Sequence, residues 1–97
     1  MKYHTMEKTE KLKVMDKILR ELEDTINSET ALVKKIAQIE AENINLGDSV
    51  LEKKLPEIFE HADEALAKTT ELQTEYSTAR EKFVKDNNLD QATEAVV

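Results

Sequence analysis

The sequence predicts an all-α fold in which two long antiparallel helices form a coiled-coil-like helical hairpin that completes a four-helix bundle by association. Three observations support this prediction. Charged residues make up 36% and hydrophobic residues 39% of the 97 residues, a composition typical of long helices. Apolar residues recur at alternating spacings of three and four on both sides of the midpoint. The only glycine, Gly47, lies close to that midpoint. We therefore expect a single domain over residues 1–97.

The first helix is predicted to cover about residues 5–46, with Thr5 as its N-cap. Its apolar seam keeps the coiled-coil spacing as far as Ile36. Beyond Ile36 the next apolar positions fall one residue short of the repeat, which predicts local overwinding or the end of the supercoil. The seam runs through Leu12, Met15, Leu19, Leu22, Ile26, the polar Glu29, Val33 and Ile36, followed by Ile39, Asn43 and Leu46.

Further apolar residues, such as Val14, Ile18 and Leu32, widen the stripe of this first helix. A stripe of that width is typical of a helix with two neighbours, as in a helix bundle. One antiparallel partner would leave part of the stripe exposed, so we expect additional helices to dock on it. The predicted partner-binding residues are Leu12, Met15, Ile18, Leu19, Leu22, Ile26, Leu32, Val33, Ile36 and Ile39.

Residues 47–48 are predicted to form the turn between the helices. Gly47 can adopt the left-handed conformation that closes a helix. Ser49 and Glu52 match the Ser-x-x-Glu capping box, in which each side chain accepts a hydrogen bond from the backbone N–H of the other residue. The second helix is therefore expected to begin at Ser49.

The second helix is predicted over about residues 49–87. Pro56 removes one backbone hydrogen bond, so the helix either bends near Pro56 or begins there. Lys54 and Leu55 are poor N-caps, which favours a continuous helix kinked near Pro56. Asn88 is expected to take the left-handed position after the helix, with residues 88–97 as a mobile tail. The predicted inter-helix seam consists of Leu55, Ile58, Ala62, Ala65, Thr69, Leu72, Tyr76, Ala79 and Phe83.

The net charge of −7 is divided unevenly, with −1 on residues 1–47 and −6 on residues 48–97. An acidic chain repels the phosphate backbone, so binding to nucleic acid is not expected. The alternative from a different functional class is an acidic inhibitor that imitates nucleic acid.

His61 is the one residue whose neighbours raise the question of a metal site. Glu57 and Glu64 stand at helical spacings from it, but di-metal bundles draw Glu-x-x-His motifs from two helices and this chain has no second motif. The lack of cysteine excludes disulfides, thiol chemistry and Cys-built zinc sites. We therefore expect no enzyme activity, no catalytic or metal-binding residues, no cofactor and no small-molecule substrate, with a carboxylate–histidine metal protein as the remaining alternative.

Segments for membrane insertion or secretion are not expected. The sequence has no run of ~18 or more apolar residues, the length that a membrane-spanning helix needs. Its first residues also lack the apolar core of a signal peptide. The expected location is the cytoplasm, with export by a route that uses no cleaved signal as the alternative.

The turn reads Asn45-Leu46-Gly47, and Arg80 stands four residues after Tyr76. An acidic, cysteine-free chain of this length with a central turn resembles the WXG100, or ESX-like, family of small helical-hairpin proteins of type VII secretion. The family's Trp-x-Gly turn has no tryptophan here, and its Tyr-x-x-x-Asp/Glu export signal would need an acid where Arg80 stands. The resemblance therefore concerns architecture, and implies a hairpin that serves as a secretion partner.

The function predicted from these features is a non-enzymatic protein-interaction module. A hairpin of two ~60 Å helices has very little interior, so it is expected to associate. Its apolar stripe would pack on partner helices, as in a helical-hairpin chaperone, a targeting partner or an assembly subunit. Both a homodimer and a hetero-partner fit this prediction.

Overall fold

The computed structural model describes residues 7–89 and confirms the predicted helical hairpin. Helix α1 covers Lys8–Leu46 and helix α2 covers Ser49–Asp86. At ~1.5 Å per residue each helix is ~60 Å long. The predicted beginning of the first helix at Thr5 lies outside the described residues, and the N-cap of α1 is Glu7, whose side chain makes no capping hydrogen bond.

Gly47 and Asp48 form the turn, in which Gly47 ends α1 and Asp48 caps α2. Gly47 has a φ of 70°, the predicted left-handed conformation, and its N–H donates to the carbonyl of Asn43 at 2.7 Å. The Asp48 carboxylate accepts hydrogen bonds from the backbone N–H groups of Val50 at 2.9 Å and Leu51 at 3.0 Å. Asp48 is therefore the N-cap of α2. The predicted capping box is wrong, because Ser49 is already the first helical residue and its neighbour Asp48 caps the free N–H groups.

Asn43 joins the end of α1 to the start of α2 through two hydrogen bonds. Its side-chain oxygen accepts from the backbone N–H of Asp48 at 2.8 Å, and its side-chain amide donates to the carbonyl of Asp48 at 3.2 Å. The side chain is buried, and both ends of its amide group are hydrogen-bonded. A polar residue thus occupies the seam beside the turn without leaving a buried polar group unpaired.

Helix α2 continues through Pro56, so the alternative in which the helix begins at this proline is wrong. The kink near Pro56 stays a prediction. The helix ends at Asp86, one residue before the expected end. Asn88 has a φ of 56°, which confirms its predicted left-handed conformation. Leu89 is buried, so the predicted mobile tail does not begin at residue 88, and its remaining part, 90–97, lies outside the described residues.

The two helices pack along one seam with a small apolar cluster near the turn. Ile36, Leu55 and Ala62 form the buried cluster, with Val33, Leu51 and Phe59 packed against it. Far from the turn, the Arg80 guanidinium donates to the Asp16 carboxylate at 2.8 Å and joins α2 to α1. Among the described residues no large side chain is fully buried. The hairpin therefore has a seam but almost no interior.

Candidate interaction surface

The side chains that face the opposite helix follow a seven-residue repeat on both helices. We label the repeat a to g, with Leu12 and Phe59 at position a, so that positions a and d form the seam. Every a and d residue from Leu12 to Asn43 and from Leu55 to Phe83 is buried or half-buried. On α1 these are Leu12, Met15, Leu19, Leu22, Ile26, Glu29, Val33, Ile36, Glu40 and Asn43. On α2 they are Leu55, Phe59, Ala62, Leu66, Thr69, Gln73, Tyr76, Arg80 and Phe83.

The seam of α2 differs from the predicted seam at every second position. Leu55, Ala62, Thr69, Tyr76 and Phe83 face α1 as predicted. The other four predicted residues, Ile58, Ala65, Leu72 and Ala79, are exposed. Their C-terminal neighbours Phe59, Leu66, Gln73 and Arg80 face α1 instead. The helix is therefore rotated so that the stripe of apolar residues from Ile58 to Ala79 lies exposed beside the seam.

The seam of α1 keeps its repeat up to the turn, and the predicted slip after Ile36 does not occur. Glu40 is half-buried and Asn43 is buried, at the strict repeat positions. Ile39 and Leu46, which were expected in the seam, are 41% and 70% exposed. Hydrogen bonding explains how a polar residue can hold the last seam position, because Asn43 binds Asp48. Two apolar residues are thereby left on the surface.

The predicted partner-binding residues divide into two groups. Seven of them lie in the hairpin's own seam, namely Leu12, Met15, Leu19, Leu22, Ile26, Val33 and Ile36. Ile18 is half-buried at the edge of the seam, while Leu32 and Ile39 are exposed. All three of these edge residues occupy position g. The side chains that remain free for a partner therefore form a narrower stripe on α1 than the sequence predicted.

Position g of α1 and position g of α2 lie on the same side of the hairpin. Grooves on the other side show this, because residues at position e of both helices line them together. Glu23 and Ser77 line one such groove, and Ile44 and Pro56 line another beside the turn. Positions e and g flank the a–d seam on opposite sides of a helix. Since the e residues share one side, the g residues share the other.

The g side carries exposed apolar residues of both helices. On α1 these are Leu32, Ile39 and Leu46, at 51%, 41% and 70% exposure. On α2 they are Ile58 and Leu72, at 51% and 50% exposure. The exposed residues Ala65 and Ala79 lie at the same repeat position as Ile58 and Leu72. We call the surface formed by Leu32, Ile39, Leu46, Ile58 and Leu72 the exposed apolar face.

Charged residues at position c border this face, and the two borders differ in sign. The border on α1 contains the exposed Glu21 and Glu42 with one lysine, Lys35, between them. The border on α2 contains Lys54, Lys68 and Lys82 with one acid, Glu75. Lys82 donates to Asp86 at 2.6 Å, and this hydrogen bond, together with the charge attraction, raises the pKa of Lys82. Most acids of α2 lie elsewhere, including Glu57, Glu64 and Glu71 at position f.

The residues considered for metal chemistry do not converge on a site. His61 is exposed at position c of α2. Over residues 7–89, no three histidine, aspartate or glutamate side chains lie close enough together to hold an ion. Within the same range, neither helix combines the length and the apolar character needed to cross a bilayer.

Comparison with models of known protein families, with curated proteins and with solved structures found no match to this chain. The exposed apolar face is therefore the feature from which we infer a function.

Proposed function

We propose that this protein is a non-enzymatic protein–protein interaction module whose helical hairpin docks the helices of another chain. Its role would be that of a chaperone, a targeting partner or an assembly subunit. The observation that carries the proposal is the exposed apolar face, in which Leu32, Ile39 and Leu46 of α1 share one side of the hairpin with Ile58 and Leu72 of α2.

The lack of an interior supports this proposal on energetic grounds. Burial of apolar surface stabilises a fold by roughly 25 cal/mol per Å², and a two-helix seam buries little of it. No large side chain in the described part of the chain is fully covered. Docking of further helices on the exposed apolar face would supply the missing burial. Large apolar side chains that are exposed together on one side of a small protein are typical of such an interaction site.

The spacing of the face also indicates the kind of partner. Ile58, Ala65, Leu72 and Ala79 follow each other at intervals of one heptad, as do Leu32, Ile39 and Leu46. Such rows accept the ridges of a helix that runs along the hairpin. Ala65 and Ala79 alternate with the larger residues on α2 and allow a close approach. Helices are therefore the partner elements that this surface fits best.

The experiment that tests this proposal compares two aspartate variants in the cell from which the protein comes. The double variant Leu32→Asp/Ile58→Asp places charges on the face, whereas Ile44→Asp changes an isoleucine that is 80% exposed on the opposite side. We expect native mass spectrometry after affinity purification to show an additional chain with the wild type and with Ile44→Asp, and to show none with the double variant. A wild-type protein recovered as a monomer without any other chain would contradict the proposal.

Neutralised acids separate this function from that of an acidic nucleic-acid mimic. Changing Glu57, Glu64 and Glu71 to glutamine removes three charges from the outer side of α2 and leaves the exposed apolar face unchanged. A helix-docking module should keep its partner with an affinity within ~2-fold, because exposed charges far from the contact contribute little. A mimic would lose its partner, and its binding would weaken steeply as salt is raised.

A further inference from the structure

We propose that the exposed apolar face is covered by the same face of a second copy of this chain. In this dimer α1 lies on α2 of the second copy, and both turns lie at the same end. The inference rests on the proposed function and names its partner. A two-fold axis parallel to the hairpin produces this arrangement, because it exchanges the two helices and keeps every residue at its own height.

Charge is the first argument for a second copy. The chain carries a net charge of −7, so two copies repel each other unless their contact is shielded from the acids. The repulsion is reduced at the exposed apolar face, because Glu57, Glu64 and Glu71 of α2 lie at position f, away from it, and the acids that border it are interspersed with lysines. Its α2 border is instead mostly basic, with Lys54 and Lys68 among its residues. A copy of the chain is therefore electrostatically acceptable at this face.

The opposite signs of the two borders argue for the pairing of α1 with α2. Within one hairpin, Glu42 and Lys54 lie at similar distances from the turn, five residues before Gly47 and six after Asp48. They lie on the borders of different helices, and therefore at opposite edges of the face. The two-fold axis brings Glu42 next to Lys54 of the second copy, and repeats this contact on the other edge. Pairing α1 with α1 over the full length would instead bring the acidic borders with Glu21 and Glu42 together. Opposite charges favour the first arrangement.

The size of the side chains along the face argues for turns at the same end. The large exposed residues Leu32, Ile39, Leu46 and Ile58 all belong to the half of the hairpin near the turn. With both turns at one end, these residues meet each other in the dimer. If the second copy ran in the opposite direction, these residues would instead face its open end, where the small Ala79 lies. Towards the open end, the same two-fold axis places Glu21 next to Glu75 of the second copy, and these like charges repel, so the dimer should be tightest near the turn.

The side of the hairpin that carries the exposed apolar face is large enough for a stable dimer. The face extends from Leu46 beside the turn to Leu72, 24 residues after Asp48, which is roughly 36 Å of helix at ~1.5 Å per residue. Two adjacent helices, each about 10 Å across, make this side about 20 Å wide. Their product is about 700 Å² per copy, close to the ~800 Å² that each partner contributes to a standard specific interface.

Sedimentation of the purified protein over a concentration series tests the dimer and its face. The wild type should sediment as a dimer at micromolar to tens of micromolar concentrations. Ile58→Asp should be monomeric over the same range, and Ile44→Asp, the matched isoleucine on the opposite side, should dimerise like the wild type. Circular dichroism establishes that each variant remains helical. A monomeric wild type, or a dimer lost in Ile44→Asp and kept in Ile58→Asp, would overturn the inference.

Charge reversal tests the orientation of the two copies. Lys54→Glu alone and Glu42→Lys alone should each weaken the dimer by about tenfold, because each homodimer then holds two like-charged contacts. An equimolar mixture of the two variants should form a heterodimer with wild-type affinity, since both contacts become attractive again. Failure of the mixture to recover affinity would overturn the arrangement with α1 on α2.

A wild-type protein that is monomeric when pure, and yet binds a different chain in a manner abolished by Leu32→Asp/Ile58→Asp, overturns the second copy and supports the interaction module. A monomer that binds no chain at all overturns both.

Discussion

At the scale of single residues, two polar side chains in the seam of α1 have opposite consequences for stability. Asn43 is buried and uses both ends of its amide group to bind the backbone of Asp48. Glu29 also occupies a seam position, but its Oε1 atom is buried without a hydrogen-bond partner in the described part of the chain. A satisfied buried polar group fixes the turn, whereas an unsatisfied one costs free energy.

Replacing Glu29 by leucine should therefore stabilise the hairpin. The change Glu29→Leu removes an unpaired buried oxygen and adds apolar surface between Ile26 and Val33, the seam residues on either side of it. We expect the free energy of unfolding to rise by about 1–3 kcal/mol in urea denaturation. The control Gln38→Leu, at an exposed position of the same helix, should stay within about 0.5 kcal/mol of the wild type. A loss of stability in Glu29→Leu would show that the carboxylate is satisfied in solution.

The N-cap of α2 offers a second test on adjacent residues. Asp48→Ala removes the carboxylate that accepts from Val50 and Leu51, and should lower the free energy of unfolding by about 0.5–2 kcal/mol. Ser49→Ala is the matched control, because Ser49 is already the first residue of the helix, and its effect should be a few tenths of a kcal/mol. Denaturation of both variants under the same conditions measures the two changes in the free energy of unfolding. A larger loss of stability in Ser49→Ala than in Asp48→Ala would instead support the predicted capping box.

At the scale of the elements, the rotation of α2 about its own axis determines which residues are free for a partner. Ile58 and Phe59 are both apolar, as are Ala65 and Leu66, so two stripes with the same periodicity coexist in the sequence. The stripe through Ile58 continues with the apolar residues Ala65, Leu72 and Ala79. The stripe through Phe59 instead includes the polar Gln73 and the charged Arg80. Periodicity alone therefore favours the stripe that the structure leaves exposed.

The contact between Arg80 and Asp16 explains how a charged residue can occupy the seam. Arg80 Nε donates to Asp16 Oδ1 at 2.8 Å, and Arg80 Nη2 lies 3.4 Å from Asp16 Oδ2. Both side chains keep about a third of their surface exposed, so the guanidinium satisfies its charge without complete desolvation. This pairing joins positions that are far apart in the chain, and no local sequence pattern contains it. The hairpin, the turn at Gly47 and the left-handed Asn88 follow from local signals and were predictable.

A double-mutant cycle measures what this pair contributes to the alignment of the helices. Asp16→Asn and Arg80→Gln, alone and together, should give a coupling free energy of about 0.3–1 kcal/mol, because the pair is partly exposed and screened by solvent. The coupling should shrink as sodium chloride is raised from low to molar concentration. The exposed pair Lys82–Asp86 within α2 serves as a comparison and should show weaker coupling, since it joins no two elements. A coupling free energy near zero at low salt would mean that apolar packing alone determines how the two helices are aligned.

At the scale of the whole molecule, burial is concentrated at the two ends of the hairpin. The apolar cluster of Ile36, Leu55 and Ala62 lies in the half near the turn. Val84 and Leu89 are the buried apolar residues at the open end. Between these ends, the described residues 15–35 and 63–80 contain half-buried and exposed side chains only. The middle of each helix is therefore held by backbone hydrogen bonds and a shallow seam.

This distribution predicts a gradient of hydrogen exchange along each helix. Amides in 33–43 and 52–62 lie beside the cluster and the Asn43–Asp48 hydrogen bonds, so they should exchange only through extensive unfolding. Amides in 19–30 and 66–76 should exchange at least ~10-fold faster, a difference of about 1.4 kcal/mol in opening free energy. Native-state exchange measured residue by residue, with Ile58→Asp as a monomeric reference, gives the profile. In the wild type at high concentration, a second copy should slow exchange further near the turn, where the large residues of the exposed apolar face meet. Uniform protection along both helices would instead mean that the hairpin opens as one cooperative unit.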